Sequence, residues 1–83
     1  MSDLSDDAIL ASLSSILGDL LDEPVTLGMK TTRPEVPRWD SFTYVTFIVA
    51  VEGEYGVRFP IADVESFQTV GDIVGAIREL KGA

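Results

Sequence analysis

Apolar residues recur at intervals of three and four in three separate stretches of the chain, and that spacing restricts the fold more than any other feature. Ile9, Leu10, Leu13, Ile16, Leu17, Leu20 and Leu21 form the first set. Tyr44, Phe47, Ile48, Val51 and Tyr55 form the second, and Val70, Ile73, Val74, Ile77 and Leu80 the third. A repeat near 3.6 residues places each set on one face of a helix. No internal repeat or low-complexity tract is visible. The expected class is all-α, with three main helices and one short one.

The helix ends have chemical signals. Ser5 stands where a cap is needed, with Asp6 and Asp7 in the first turn, where negative charge suits the helix dipole. Leu4 and Ile9 have the spacing of a hydrophobic staple. Gly18 weakens the late part of this helix and Pro24 bars its continuation. Asp40 is the expected cap of the second helix, with Trp39 and Tyr44 at its staple positions and Gly56 as its left-handed stop. Pro60 precedes a predicted single turn around residues 61–65. Thr69 and Asp72 form a capping-box pair at the head of the last helix. Between Asp22 and Trp39 no period is visible. That stretch holds Pro24, Pro34 and Pro37 and half of the six basic residues, Lys30, Arg33 and Arg38. A loop of this length is often functional.

Eighty-three residues make one domain, 1–83, with a thin core. The chain has no cysteine and no histidine. Disulfides and thiolate-bound zinc are therefore excluded, no metal site is expected, and the usual nucleophile–base pairs cannot be assembled. Nothing places a lysine beside a serine, so catalysis is not expected. The net charge of −8 disfavours nucleic acid and anionic membrane surfaces as partners and favours proteins with basic patches. Charge alone serves solubility equally well. No apolar run is long enough to span a bilayer, and the N-terminal stretch is acidic and unlike a signal peptide. A cytoplasmic monomer is the expectation.

The second helix has a second apolar stripe, Phe42, Val45 and Val49, on a different face from its core stripe. A thin domain cannot bury a helix on all sides, so part of this stripe is expected to meet solvent and serve as a binding surface, unless the loop covers it. Ser41 stands at the head of the same helix, where a phosphodiester gains from free N–H groups and the positive end of the dipole. Taken alone, the Asp-Ser pair is better explained by simple capping.

The pair is not isolated. Asp40-Ser41-Phe42, then Glu52, Tyr55-Gly56-Val57, Phe59-Pro60 and Thr69-Val70-Gly71-Asp72 follow in an order and spacing that resembles the acyl carrier protein family. The likeness covers residues 39–80 well and the first helix by pattern only. It implies a four-helix bundle with a long first loop. It also implies a 4′-phosphopantetheine arm attached to Ser41 by a phosphopantetheinyl transferase, with Asp40 as the motif acid. The arm would hold an acyl group as a thioester for acyl-loading and acyl-transferring enzymes of fatty-acid, lipid or specialised metabolite synthesis. The carrier itself catalyses nothing.

The chain departs from the family pattern in informative ways. The motif leucine is Phe42, and Thr43, Thr46 and Gly53 stand at positions that are typically acidic in fatty-acid carriers, leaving Glu52 and Glu54. Three bulky groups, Trp39, Phe42 and Tyr44, are expected to crowd the attachment site. Partner contact is therefore expected to rest on Phe42, Val45 and Val49, together with Glu52, as in a specialised stand-alone carrier. Trp-Asp-Ser is similar to carriers of secondary-metabolite or surface-polysaccharide pathways, and Asp-Ser-Phe to D-alanyl carriers, so an aminoacyl or peptidyl cargo is an alternative. An unmodified helical interaction module, with Ser41 free, is another. Phe47, Phe59 and Phe67 are candidates to line or fill an internal cavity.

Overall fold

A computed structural model describes residues 5–36 and 38–81. Helix α1 spans Asp6–Leu21, α2 Ser41–Tyr55, α3 Ile61–Ser66 and α4 Val70–Leu80, with one 3₁₀ turn at Arg33–Glu35 in the first loop. Among the described residues there is no strand, only an isolated antiparallel bridge between Thr32 and Thr69. The all-α expectation holds, with three main helices and a short one.

The ends of the helices follow their caps. The Ser5 hydroxyl accepts the Ala8 N–H at 3.2 Å. Asp40 accepts the Thr43 N–H at 2.9 Å. Thr69 and Asp72 make the reciprocal capping box that opens α4. Gly56, at φ 65°, ends α2 in the left-handed conformation that glycine adopts without strain. Helix α1 ends on Asp22, a non-glycine residue at φ 56°. There Gly18 has a structural use: its carbonyl accepts the Glu23 N–H at 3.1 Å, and a Cβ on Gly18 would press to 3.1 Å from the Glu23 carbonyl oxygen. The staple residue Leu4 and loop residue Pro37 lie outside the described residues.

Asp6, at the start of α1, pairs with Arg78 near the end of α4 at 3.0 Å, so these helices run antiparallel. The Lys81 ammonium donates to the Tyr55 carbonyl at 3.2 Å, bringing the ends of α2 and α4 together. The interior is formed by Ile9, Leu13, Leu17 and Leu21 of α1, Phe47, Ile48 and Val51 of α2, and Val70, Ile73, Val74 and Ile77 of α4, with Leu27, Trp39 and Phe59 from the connections. Leu10, Ile16, Tyr44 and Tyr55 of the expected stripes are partly buried against it, and two stripe residues are exposed. Leu20 is 38% exposed, because seven apolar residues wrap further round α1 than its buried line of 9, 13, 17 and 21. Leu80, the final residue of α4, is 46% exposed.

The long first loop is tied to the head of α4. Val70 N–H donates to the Thr31 carbonyl at 2.9 Å and Gly71 N–H to the Met29 carbonyl at 2.8 Å. Two N–H groups of the first turn of α4, which have no partner within the helix, are thereby satisfied. The loop is also anchored to α1, where the Ser14 hydroxyl accepts the Leu27 N–H at 2.9 Å. These ties fix the path by which the chain reaches Trp39 and the head of α2.

Candidate functional site

The head of α2 has an inward and an outward side. Trp39 lies just before the cap and turns inward, only 5% exposed, its ring edge-on to Phe47 at 5.2 Å and tilted against Tyr44 at 6.1 Å. Tyr44 is half-buried, and its hydroxyl donates to the Val64 carbonyl of α3 at 2.7 Å. The Arg33 guanidinium of the loop sits 4.6 Å from the centroid of the Tyr44 ring, a cation–π contact. Burial pushes the Tyr44 phenol up, and the Arg33 charge partly opposes this. The expected crowding by three bulky groups is thus corrected to one: core packing takes Trp39 and Tyr44, and only Phe42, 81% exposed, remains outside next to Ser41.

Ser41 is exposed as the first residue of α2. Its hydroxyl engages no hydrogen-bond partner among the described residues. Asp40 acts as the cap, and the Thr43 N–H that it accepts holds its carboxyl below the usual carboxylate range. Its negative charge at the head of α2 is therefore kept through neutral and mildly acidic pH. Nothing at this place resembles a catalytic pair. Among the described residues no group of three or more Asp or Glu side chains gathers to hold a metal.

Below Ser41 the second stripe of α2 faces solvent, with Val45 56% and Val49 60% exposed. The loop does not cover it. Glu52 behaves differently from the expectation of a free surface acid. One of its carboxylate oxygens accepts the Phe59 N–H at 2.7 Å and so holds the connector between α2 and α3. The sequence did not reveal that bond, the Tyr44–Val64 tie or the Arg33 contact, because each joins residues brought together only by folding. Ile61, 78% exposed at the start of α3, was also not singled out. The proline before it marked a helix start and gave no sign of which way the side chain would face.

Residues 39–77 match the family model described as the phosphopantetheine attachment site. The acyl carrier protein of Arthrobacter sp. (strain FB24) is 37% identical over 76 residues, covering 88% of this chain and 91% of that protein. The chain belongs to the acyl carrier protein family. Another relative is the meromycolate extension acyl carrier protein of Mycolicibacterium aurum, 31% identical over 78 residues, covering 93% of this chain and 80% of that protein. The solution structure of the holo acyl carrier protein from Geobacter metallireducens shares the fold, with a TM-score of 0.80 at 23% identity over 88% of this chain and 85% of that one.

Membership makes the protein a carrier with a covalently held phosphopantetheine, not a catalyst, and a substrate for modifying and acyl-handling enzymes. The head of α2 in this carrier suits such a group: an exposed hydroxyl stands where helix N–H groups and the positive end of the dipole favour a phosphodiester. No helix among the described residues is long and apolar enough to cross a membrane.

Proposed function

We propose that Ser41 carries the 4′-phosphopantetheine arm and that the chain shuttles acyl groups, held as thioesters on that arm, between enzymes of fatty-acid, lipid or specialised metabolite synthesis. The observation that carries this reading is a contrast between two serines. The stretch that matches the attachment-site family contains Ser41 and Ser66 and no other serine. The Ser66 hydroxyl donates to the Asp63 carbonyl at 2.9 Å and lies at the end of α3, where the dipole disfavours an anion. Ser41 is exposed, uncommitted and at a helix start.

In the modification the Ser41 hydroxyl oxygen bonds to the phosphorus of coenzyme A that bears the pantetheine. Its proton is lost and 3′,5′-ADP leaves. The thiol at the end of the arm then accepts the cargo as a thioester. Asp40 holds the start of α2 in helical register, so that Ser41 is presented in one orientation. Phe42, Val45 and Val49 form the contact face for partner enzymes. That face is apolar where an ion-pair surface would be acidic, so partner choice rests on shape and burial more than on charge. Exposed ion pairs contribute only about 0–1 kcal/mol each, so their loss alters the partner more than the fold. A cytoplasmic monomer fits this role.

The test is the intact mass after incubation with coenzyme A, Mg²⁺ and a broad-specificity phosphopantetheinyl transferase. The wild type is expected to gain one phosphopantetheine, and Ser41→Ala, with an unchanged far-UV circular dichroism spectrum, none. No gain by the wild type with several transferases would favour an unmodified interaction module.

A further inference from the structure

We propose that the guanidinium of Arg33, in the first loop, binds the phosphodiester that joins the arm to Ser41, and so sets the direction in which the arm leaves the head of α2. The inference rests on Ser41 being the attachment residue. It adds a residue from another part of the chain to a site so far built from α2 alone.

Local structure fixes where Arg33 stands. It opens the 3₁₀ turn of the loop. Thr32 before it bridges to Thr69 at the head of α4, and the Glu35 carboxylate closes the turn by accepting the Thr32 N–H at 2.7 Å and the Thr32 hydroxyl at 2.8 Å. The Arg33 side chain is half-buried, 4.6 Å from the centroid of the Tyr44 ring, and shares a small cleft with Trp39 and Tyr44. These two residues flank Ser41 in the chain, two positions before it and three after it. Ser41 and Tyr44 lie on one side of α2, with Cβ atoms about 5–6 Å apart. Helical side chains lean toward the N-terminus, so Tyr44 covers the turn that Ser41 begins. The ring that holds the cation is thus the neighbour of the attachment hydroxyl.

The cation is held in place without being neutralised. Arg38 faces Glu23 at 3.5 Å and Arg78 faces Asp6 at 3.0 Å, whereas among the described residues the Arg33 guanidinium has no carboxylate at ion-pair distance and donates no hydrogen bond. Acids around it are committed elsewhere: Glu35 to Thr32, and Asp72, whose charge is felt at Tyr44, to the N–H groups of Gln68 and Thr69. Contact with a ring face orients a guanidinium and leaves its N–H edge open to an anion, and its planar fork matches two phosphate oxygens. The head of α2 has need of such a charge. Asp40 is already negative there, the whole chain stands at −8, and the phosphodiester adds one more negative charge. The helix start offers only partial charges, and Asp40 has taken the Thr43 N–H. Ion pairs this exposed contribute little to stability, so the effect falls on the orientation of the arm and not on the fold.

The experiment compares the protein before and after transferase treatment, read by the arginine side-chain Nε–H resonances and by ³¹P NMR at mildly acidic pH. Intact mass is checked first. A protein that has gained no arm overturns the Ser41 reading, and this inference with it. With the arm in place, the Arg33 Nε–H resonance is expected to shift and its exchange with water to slow, while those of Arg58 and Arg78 stay where they were. In modified Arg33→Gln, with an unchanged far-UV circular dichroism spectrum, the ³¹P resonance is expected to move toward its position in the urea-unfolded modified protein. Arg33→Lys, which keeps the charge, is expected to restore most of the folded shift. An Arg33 resonance indifferent to the arm, a ³¹P resonance the same in wild type and Arg33→Gln, or a change that Arg33→Lys does not restore overturns this proposal and leaves the attachment at Ser41 standing.

Discussion

Two glycines of α4, four residues apart, should respond to alanine with opposite signs. Alanine is favoured over glycine within a helix by about 0.8–1.0 kcal/mol. Gly75 is exposed, and a Cβ there would meet nothing within 4 Å, so Gly75→Ala should gain most of that preference. At Gly71 a Cβ would lie 2.6 Å from the Met29 carbonyl oxygen, a backbone atom that must withdraw to at least 3.0 Å. Withdrawal stretches the Gly71 N–H bond to that same oxygen, now 2.8 Å, and strains the neighbouring bond from Val70 to Thr31, now 2.9 Å. Two such bonds contribute about 1–3 kcal/mol together. Set against a helix preference that is weak so near the start of α4, the net loss is about 1–2 kcal/mol. In a domain of this size it lowers the melting temperature by roughly 5–15 °C, while Gly75→Ala raises it by a few degrees. Thermal unfolding followed by circular dichroism measures both. A rise for Gly71→Ala equal to that for Gly75→Ala would refute the close approach of the first loop to α4.

Other consequences are more local. Tyr44→Phe removes the hydroxyl that donates to Val64 and should lower stability by about 0.5–1.5 kcal/mol, with faster amide exchange concentrated in α3. Glu52→Gln keeps an acceptor for the Phe59 N–H and should unfold close to the wild type, whereas Glu52→Ala should lose about 1 kcal/mol in urea denaturation. Glu35, Asp40 and Asp72 all have carboxyls held below their ordinary values by hydrogen bonds from the backbone of Thr32, Thr43 and Gln68 respectively. A depressed folded value means that their stabilisation is complete above the ordinary carboxylate range and is lost as pH falls through the folded values. The melting temperature should therefore stay level from neutral pH to about pH 5 and decline below about pH 4, modestly because all three groups are exposed to solvent. The double variant Asp40→Asn, Asp72→Asn, which retains side-chain acceptors at both helix starts, should flatten that acid limb.

Much of this fold was legible in the sequence where the cause is local. Ser5, Asp40 and Thr69 act as caps on the helices that they precede, and Gly56 takes the left-handed turn that its place after Tyr55 suggested. The two stripes of α2 separated correctly into a core face and a solvent face, because a thin bundle has room for only one. Burial at the rims was less legible. Leu20 and Leu80 fit the helical period, but Leu20 lies off the buried line of α1 and Leu80 is the final residue of α4, and both are exposed. The first loop was opaque, since its order comes from Met29 and Thr31 carbonyls pairing with α4 some forty residues away, and a backbone acceptor leaves no mark in the sequence. The candidate site shows the same division. The exposure of Ser41 follows from its position at a helix start, whereas the inward turn of Trp39 and the internal use of Glu52 arise only on folding.

The central claim is that the arm is attached to Ser41, and fragment-ion sequencing of the modified protein tests it most directly. Protease digestion after transferase treatment should yield one peptide heavier by a single phosphopantetheine, with the added mass localised to Ser41. Added mass on Ser66, or on any serine outside α2, would contradict the account even if the intact protein had gained one arm.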